Sequence, residues 1–385
     1  MRRALAIALV GVTIALPGCA GAEAEADTGW TPRERAMLLG MALPAAPPPS
    51  PGNAVADSPA AATLGVRLFM DPGLSANGQV SCASCHAPDK AMTDGKPMAS
   101  AIGSTRRNTP TLLGAAWQRW LFWDGRADSL WAQATGPLTA PAEHGATPEL
   151  VRQRVLDAHG DEFEAVFGAV SDDPERVLAQ VGKAIEAYER TLSPGTSRFD
   201  AYLAELASGT APSALSPEEL HGLQVFLRKG ECVACHNGPM LSDGEFHNLG
   251  VDPAVPPTGI DAGRQRGLEQ VLSSPFRCDG PHSDAVFEAG QPDPCAELHF
   301  VDPTFPDAVG AFRTPTLRNV ARTAPYMHAG QLATLDDVLD FYDDLPGRPL
   351  VGHRELTLRP REFTDEEREA LQAFLRSLDG SSAAP

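Results

Sequence analysis

Two short stretches of this chain place thiols and an imidazole at a spacing that does chemistry: Cys82-Ala83-Ser84-Cys85-His86 and Cys232-Val233-Ala234-Cys235-His236. Each is C-x-x-C-H, the attachment signature of a c-type haem. The two cysteines add to the vinyl groups of one porphyrin, and the adjoining histidine then faces the iron as its proximal ligand. The alternative is one zinc site built from two C-x-x-C knuckles. Zinc accounts for Cys82, Cys85, Cys232 and Cys235 but not for His86 and His236, and it must join knuckles far apart in the chain. The motifs therefore predict two covalent c-type haems.

Each motif needs elements to hold it, and the chain supplies a similar set twice. Leu64, Leu68 and Phe69 suggest a short helix starting near Ser58-Pro59 and ending at Asp71-Pro72-Gly73, and the loop from Leu74 to Val80 leads into the first motif. Ser216-Pro217-Glu218-Glu219 is a capping box with proline at N1, opening a helix that buries Leu220, Leu223 and Leu227 and stops at Lys229-Gly230 before the second motif. Helix, loop, C-x-x-C-H thus occurs in both halves, an internal duplication. Pro174 to Thr191 reads as an amphipathic helix with Val177, Val181, Ile185 and Tyr188 on one stripe. Thr334 with Asp337 and Thr364 with Glu367 open two further capped helices, the last burying Leu371, Phe374, Leu375 and Leu378. Strand signal is scarce. The predicted fold is mainly α: two cytochrome c-like domains, each with one haem, joined and wrapped by long irregular loops. The domains are expected over 58–206 and 215–379, with the small, polar stretch Leu206 to Ala214 as the boundary.

Length and composition agree. A chain of 385 residues is too long for a single electron-carrier cytochrome, and 35 Gly with 35 Pro imply much irregular backbone. A formal charge of −19 argues against nucleic acid as a partner. Arg2-Arg3, the apolar run Ala4 to Leu16 and the small residues after it read as an export signal over 1–19, too short to span a membrane. Leu16-Pro17-Gly18-Cys19 resembles a bacterial lipobox, which makes Cys19 a candidate lipid anchor; an ordinary cleaved signal is the alternative. Both place the protein outside the cytoplasm, in the periplasm. Residues 20–57, rich in Ala and Pro, read as a flexible arm. Of seven cysteines, Cys278 and Cys295 remain; in an oxidising compartment a disulfide between them, worth about 3 kcal/mol, is expected over free thiols.

Further motifs carry a resemblance. Leu68-Phe69-Met70-Asp71-Pro72, Asn108-Thr109-Pro110-Thr111, Phe122-Trp123-Asp124-Gly125-Arg126, Gly136-Pro137 with Glu143, and Arg313-Thr314-Pro315-Thr316-Leu317-Arg318-Asn319 resemble the bacterial di-haem cytochrome c peroxidase and MauG superfamily. They run in the same order, from about residue 60 to 378. The resemblance implies that Trp123 lies between the haems, that Gln133 and Glu143 line the distal side of the first, and that a Ca²⁺ sits between the domains near Asn108 and the carbonyls of Thr323 and Pro325. Glu143 can then move a peroxide proton from one oxygen to the other, although an exposed loop carboxylate is its ordinary role. Trp123 reads either as core or as a relay for charge. Asp124 and Arg126 are expected to be structural or to pair with haem propionates.

Two departures matter. Where many of these peroxidases carry a histidine that caps the first iron, this chain has Ile102-Gly103-Ser104, which implies an open first haem. Where they place methionine on the second iron, Tyr342 stands here, on the inward stripe of Leu335, Val338 and Leu339. A phenolate favours high oxidation states and a thioether the ferrous state. Ligation by Tyr342 is the MauG pattern; a buried tyrosine with a bonded hydroxyl is the alternative. The segments Trp117 to Trp123 and Asp128 to Gln133, the cysteines Cys278 and Cys295, and Ala324 to Gly330 look most like the MbnH-like di-haem enzymes. That likeness implies H₂O₂ as oxidant, a high-valent bis-haem state, and oxidation of a tryptophan to kynurenine on a small exported copper-binding partner. The alternatives are a cytochrome c peroxidase fed by a small cytochrome or cupredoxin, and a non-catalytic di-haem electron carrier.

Overall fold

A computed structural model describes residues 29–251 and 261–381. The export signal and Cys19 lie outside the described residues. Eleven α-helices occur among those described, with one two-stranded pairing, and none is long and apolar enough to cross a membrane.

The first core is built by α2 (Pro59–Met70), α3 (Leu130–Thr139), α4 (Pro148–Ala158), α5 (Gly160–Phe167) and α6 (Pro174–Glu189). Helix α2 crosses α6 at glycine: a Cβ on Gly65 would lie 1.9 Å from the Ala184 carbonyl oxygen. Leu64, Leu68, Val177, Val181 and Ile185 fill the contact. The amphipathic reading of α6 captures its apolar stripe, but Lys183, Glu186 and Glu189 are buried as well. Asp71, at the end of α2, accepts two bonds from Arg154 and one from His159. Burial opposes its charge, yet these donors hold its pKa down to about 2.

The second core repeats the crossing. Helix α8 (Pro217–Leu227) meets α11 (Asp365–Ser377), and a Cβ on Gly222 would lie 1.9 Å from the Ala370 carbonyl oxygen. The capping boxes at Ser216–Glu219, Thr334–Asp337 and Thr364–Glu367 all form, the middle one opening α10 (Leu335–Asp344).

Two boundaries differ from expectation. Helix α7 (Arg198–Ser208) buries Phe199, Tyr202, Leu203 and Leu206 in the second core, so the chain crosses between cores after Leu192, not at 206–214. Residues 29–57 are no free arm either. Helix α1 (Pro32–Leu39) carries its own capping box, and Leu38 and Met41 are fully buried in the second core. Further along, Asn53 donates to Glu186 and Asp57 pairs with Arg190 of the first half. Alanine and proline set the composition there, but a few apolar and polar anchors decide the packing.

Strands β1 (Phe246–His247) and β2 (Phe312–Arg313) pair antiparallel. Between them run α9 (Arg264–Ser273) and a loop closed by the Cys278–Cys295 disulfide, whose Cα atoms are 5.6 Å apart.

Candidate functional site

Both C-x-x-C-H motifs fold as one 3₁₀ turn. The histidine N–H donates to the first cysteine carbonyl, at 2.9 Å for His86 and 2.8 Å for His236. Each imidazole is then fixed through Nδ1, His86 against the Met92 carbonyl and His236 against that of Leu241, both at 2.9 Å. Bonding at Nδ1 leaves Nε2 for a metal and sets the ring's orientation. A strut steadies each acceptor: Thr111 Oγ1 donates to the Ala91 carbonyl and Thr316 Oγ1 to that of Met240, both at 2.7 Å. Those carbonyls immediately precede the histidine acceptors. Reading Thr109-Pro110-Thr111-Leu112 against Thr314-Pro315-Thr316-Leu317 as a repeat would have found these threonines; the duplication noted from helix, loop and motif missed them.

The residues fit haem. Among the described residues the four motif cysteines do not converge, which removes the single zinc site. Among the described residues, the one grouping with metal-ligand spacing is Cys235, Asp243 and His247, and it reuses a motif cysteine. Cys232, Cys235 and His236 line a cavity of about 1250 Å³ whose walls also include Leu339, Tyr342 and Leu371. Arg313, buried and with its pKa pulled down to about 10 by that burial, brings positive charge to the wall together with Arg361. A porphyrin is apolar with two carboxylates, and this lining matches it. Tyr342 stands on α10 in the electrostatic reach of Cys232 and Cys235, and burial pushes its phenol far up. His247 is held between Asp243 at 3.0 Å and Glu355 at 2.9 Å; the Asp243 bond leads in raising its pKa to about 11.

In the first half, Glu143 lies on the loop after α3, half-buried, with its backbone N–H on the Ala140 carbonyl at 2.9 Å. Burial raises its pKa, and the Arg126 charge opposes that rise. Its charge reaches both Cys82 and Cys85. Gly103 N–H docks on the Ala142 carbonyl at 2.9 Å, so the Ile102-Gly103-Ser104 loop leans on the Glu143 loop while Ser104 itself is exposed. Gln133 is half-buried on α3.

Trp123 sits between the halves. Its indole donates to the Asn108 carbonyl at 3.0 Å, and its own carbonyl accepts from Arg313 N–H at 2.8 Å. It shares the large cavity with Asn108, Thr323 and Pro325. Asp124 is buried between Arg107 at 2.8 Å and Arg126 at 2.9 Å, and Arg107 reaches on to Asp261 at 2.8 Å. That network ties the halves together, in line with a structural role for Asp124 and Arg126.

Comparison with known proteins places these features. Residues 59–208 match the family model described as di-haem cytochrome c peroxidase. The chain is 31% identical to the methylamine utilization protein MauG of Methylorubrum extorquens, over 99% of this chain and 95% of the relative. It is 34% identical to a cytochrome-c peroxidase of Denitromonas iodatirespirans, over 97% and 92%. A MauG-like protein associated with microbial copper homeostasis has a solved structure that superposes with a TM-score of 0.65 at 28% identity, covering 89% of this chain and 96% of that one.

Proposed function

Because the chain belongs to the bacterial di-haem cytochrome c peroxidase and MauG family, whose members are haem-dependent oxidoreductases with two haems, we propose that it takes two oxidising equivalents from H₂O₂ and uses them on a residue of a protein partner. The observation that carries this reading is Tyr342, half-buried on α10 and lining the same cavity as Cys232, Cys235 and His236.

Cys82 with Cys85, and Cys232 with Cys235, would hold the two haems covalently, and these would supply a peroxide-reactive iron and a second, charge-storing iron. His86 and His236 would hold them through Nε2, and Tyr342 would offer a phenol oxygen to the second group. Glu143, half-buried and with a raised pKa, accepts a peroxide proton and returns it to the departing oxygen, and Gln133 lines the same side. Ser104, exposed and a poor ligand, leaves that side open to peroxide. Trp123 bridges the halves and relays charge between them. Asn108, Thr323 and Pro325 offer neutral oxygens for a Ca²⁺ that braces the interface. The partner is a small exported copper-binding protein, and the target a tryptophan converted to kynurenine; the copper-associated structural relative supports this choice. The setting is the periplasm, with Cys19 as a lipid anchor.

A second reading, reduction of H₂O₂ by a small cytochrome or cupredoxin, is favoured by the likeness to a named cytochrome-c peroxidase. Two measurements separate them. The resting ferric protein should show one five-coordinate and one six-coordinate haem; two low-spin six-coordinate haems would end the open-site reading. Peroxide treatment with the partner should change the mass of a partner tryptophan. Rapid oxidation of a reduced cytochrome with an unchanged partner would favour the second reading.

A further inference from the structure

The chain has five tryptophans, Trp30, Trp117, Trp120, Trp123 and Trp131, and the structure treats the four from Trp117 onward in two ways. The Arg264 guanidinium carbon lies 4.1 Å from the ring centroid of Trp120, and Lys183 Nζ lies 5.2 Å from that of Trp131. Among the described residues, no cation stacks on Trp117 or Trp123. Trp120 and Trp131 are 7% and 0% exposed, so each cation acts on its indole through protein rather than through water.

A cation over an indole face is attracted to the electron-rich ring. The same charge opposes removal of an electron from that ring, because the product would set two positive charges in contact where screening is weak. Arg264 is built to exert this field. It is buried and anchored by donation to the Gly125 carbonyl at 2.6 Å, and although the charges of Asp124 and Glu245 reach it, no carboxylate pairs with it directly among the described residues. Burial pulls its pKa down only to about 10, so it is charged at neutral pH. Lys183 is equally buried but pairs with Asp284 at 2.8 Å and lies farther from its ring, so its field is the weaker one.

We propose that Arg264 and Lys183 are positioning residues that bar Trp120 and Trp131 from oxidation and so confine charge relay to Trp123 and Trp117. This rests on the peroxide-driven reading above. A tryptophan that is oxidised irreversibly takes one oxygen from water and releases two electrons and two protons. These reduce one H₂O₂ to two waters. The net change is one hydroxylated indole and one water per peroxide, and the cations keep that damage off the two guarded rings.

The test exposes the di-haem protein to H₂O₂ without partner or reductant, follows peroxide loss, and maps added oxygen by peptide mass analysis. In Arg264→Met, oxygen at Trp120 should rise about tenfold over the unsubstituted protein. Arg264→Lys, which keeps the charge, should restore protection. Lys183→Met should raise oxidation at Trp131 by a smaller factor and leave Trp120 unchanged. If peroxide is consumed but Trp120 is modified equally with and without Arg264, the guard assignment is overturned while the parent reading stands. If peroxide is not consumed at all, the parent reading falls and takes the guard with it. Should Arg264→Met not retain both haems, Lys183→Met decides: a rise at Trp131 supports the proposal and no rise overturns it.

Discussion

The two halves are nearly copies around the motif histidines and unlike in the other reactive side chains they present. Gly65 under Ala184 and Gly222 under Ala370 set the same helix crossing, Thr111 and Thr316 prop the same carbonyl, and His86 and His236 are bonded identically at Nδ1. Across the haem positions the likeness ends. The first half presents Glu143 on a loop steadied by the Ile102–Gly103 backbone, and the second presents Tyr342 from a helix inside a large apolar cavity. Duplication supplied two like attachment turns, and under the proposed function the unlike side chains, Glu143 on a loop and Tyr342 on a helix, give each haem a separate task.

The sharpest way to break the comparison is to remove the acid–base group of the first half. Glu143→Gln should slow the reaction with H₂O₂ by about 10²–10⁴-fold and leave the spectrum of the second haem unchanged, as stopped-flow absorbance would show. In the unsubstituted protein the raised pKa of Glu143 sets the sign of the pH dependence. The base form is lost as pH falls, so the rate should drop on the acid side at a pH above the ordinary carboxylate range.

Tyr342→Met tests the other half. A thioether in place of a phenolate should raise the midpoint potential of the second haem by on the order of 100 mV, read by spectroelectrochemistry, and shift the protein toward oxidising a reduced cytochrome. An unchanged potential would place the phenol away from the iron.

A smaller effect separates the helices under the two haems. Glu189 on α6 is 3% exposed, and burial followed by the nearby Glu186 raises its pKa to about 8. No buried carboxylate of α11 matches it among the described residues. A raised carboxyl pKa means the folded state binds more protons than the unfolded one between its ordinary pKa and about 8. Stability should therefore fall as pH climbs through that window. Glu189→Gln should flatten this loss, raising the melting temperature by about 3 °C at pH near 8 and not near 4. Scanning calorimetry across pH checks it.

Much of this was legible in the chain because it rests on local rules. Capping boxes at Ser216, Thr334 and Thr364 depend on residues three apart, and the haem motifs on residues within one turn. The inward stripe that carries Tyr342 is periodic and survives folding. The arm was misread for the opposite reason. Leu38, Met41, Asn53 and Asp57 lie in Ala- and Pro-rich surroundings, and their partners are more than a hundred residues away. The domain boundary failed similarly: Phe199 of α7 packs on Phe374 of α11, far ahead in the chain, and Tyr202 accepts from the Trp30 indole, far behind it.

The amino-acid order by itself determined the two attachment turns, the helix starts and the apolar stripes, since each is set by dihedral preference and side-chain period over a few residues. Only the tertiary structure decided what surrounds each reactive side chain. The pKa of Glu143 depends on burial and on the Arg126 charge, and the placing of Arg264 over Trp120 depends on a helix reaching back across 144 positions of chain (264 − 120). Electric fields act through space, and what lies close in space is settled by packing rather than by sequence distance.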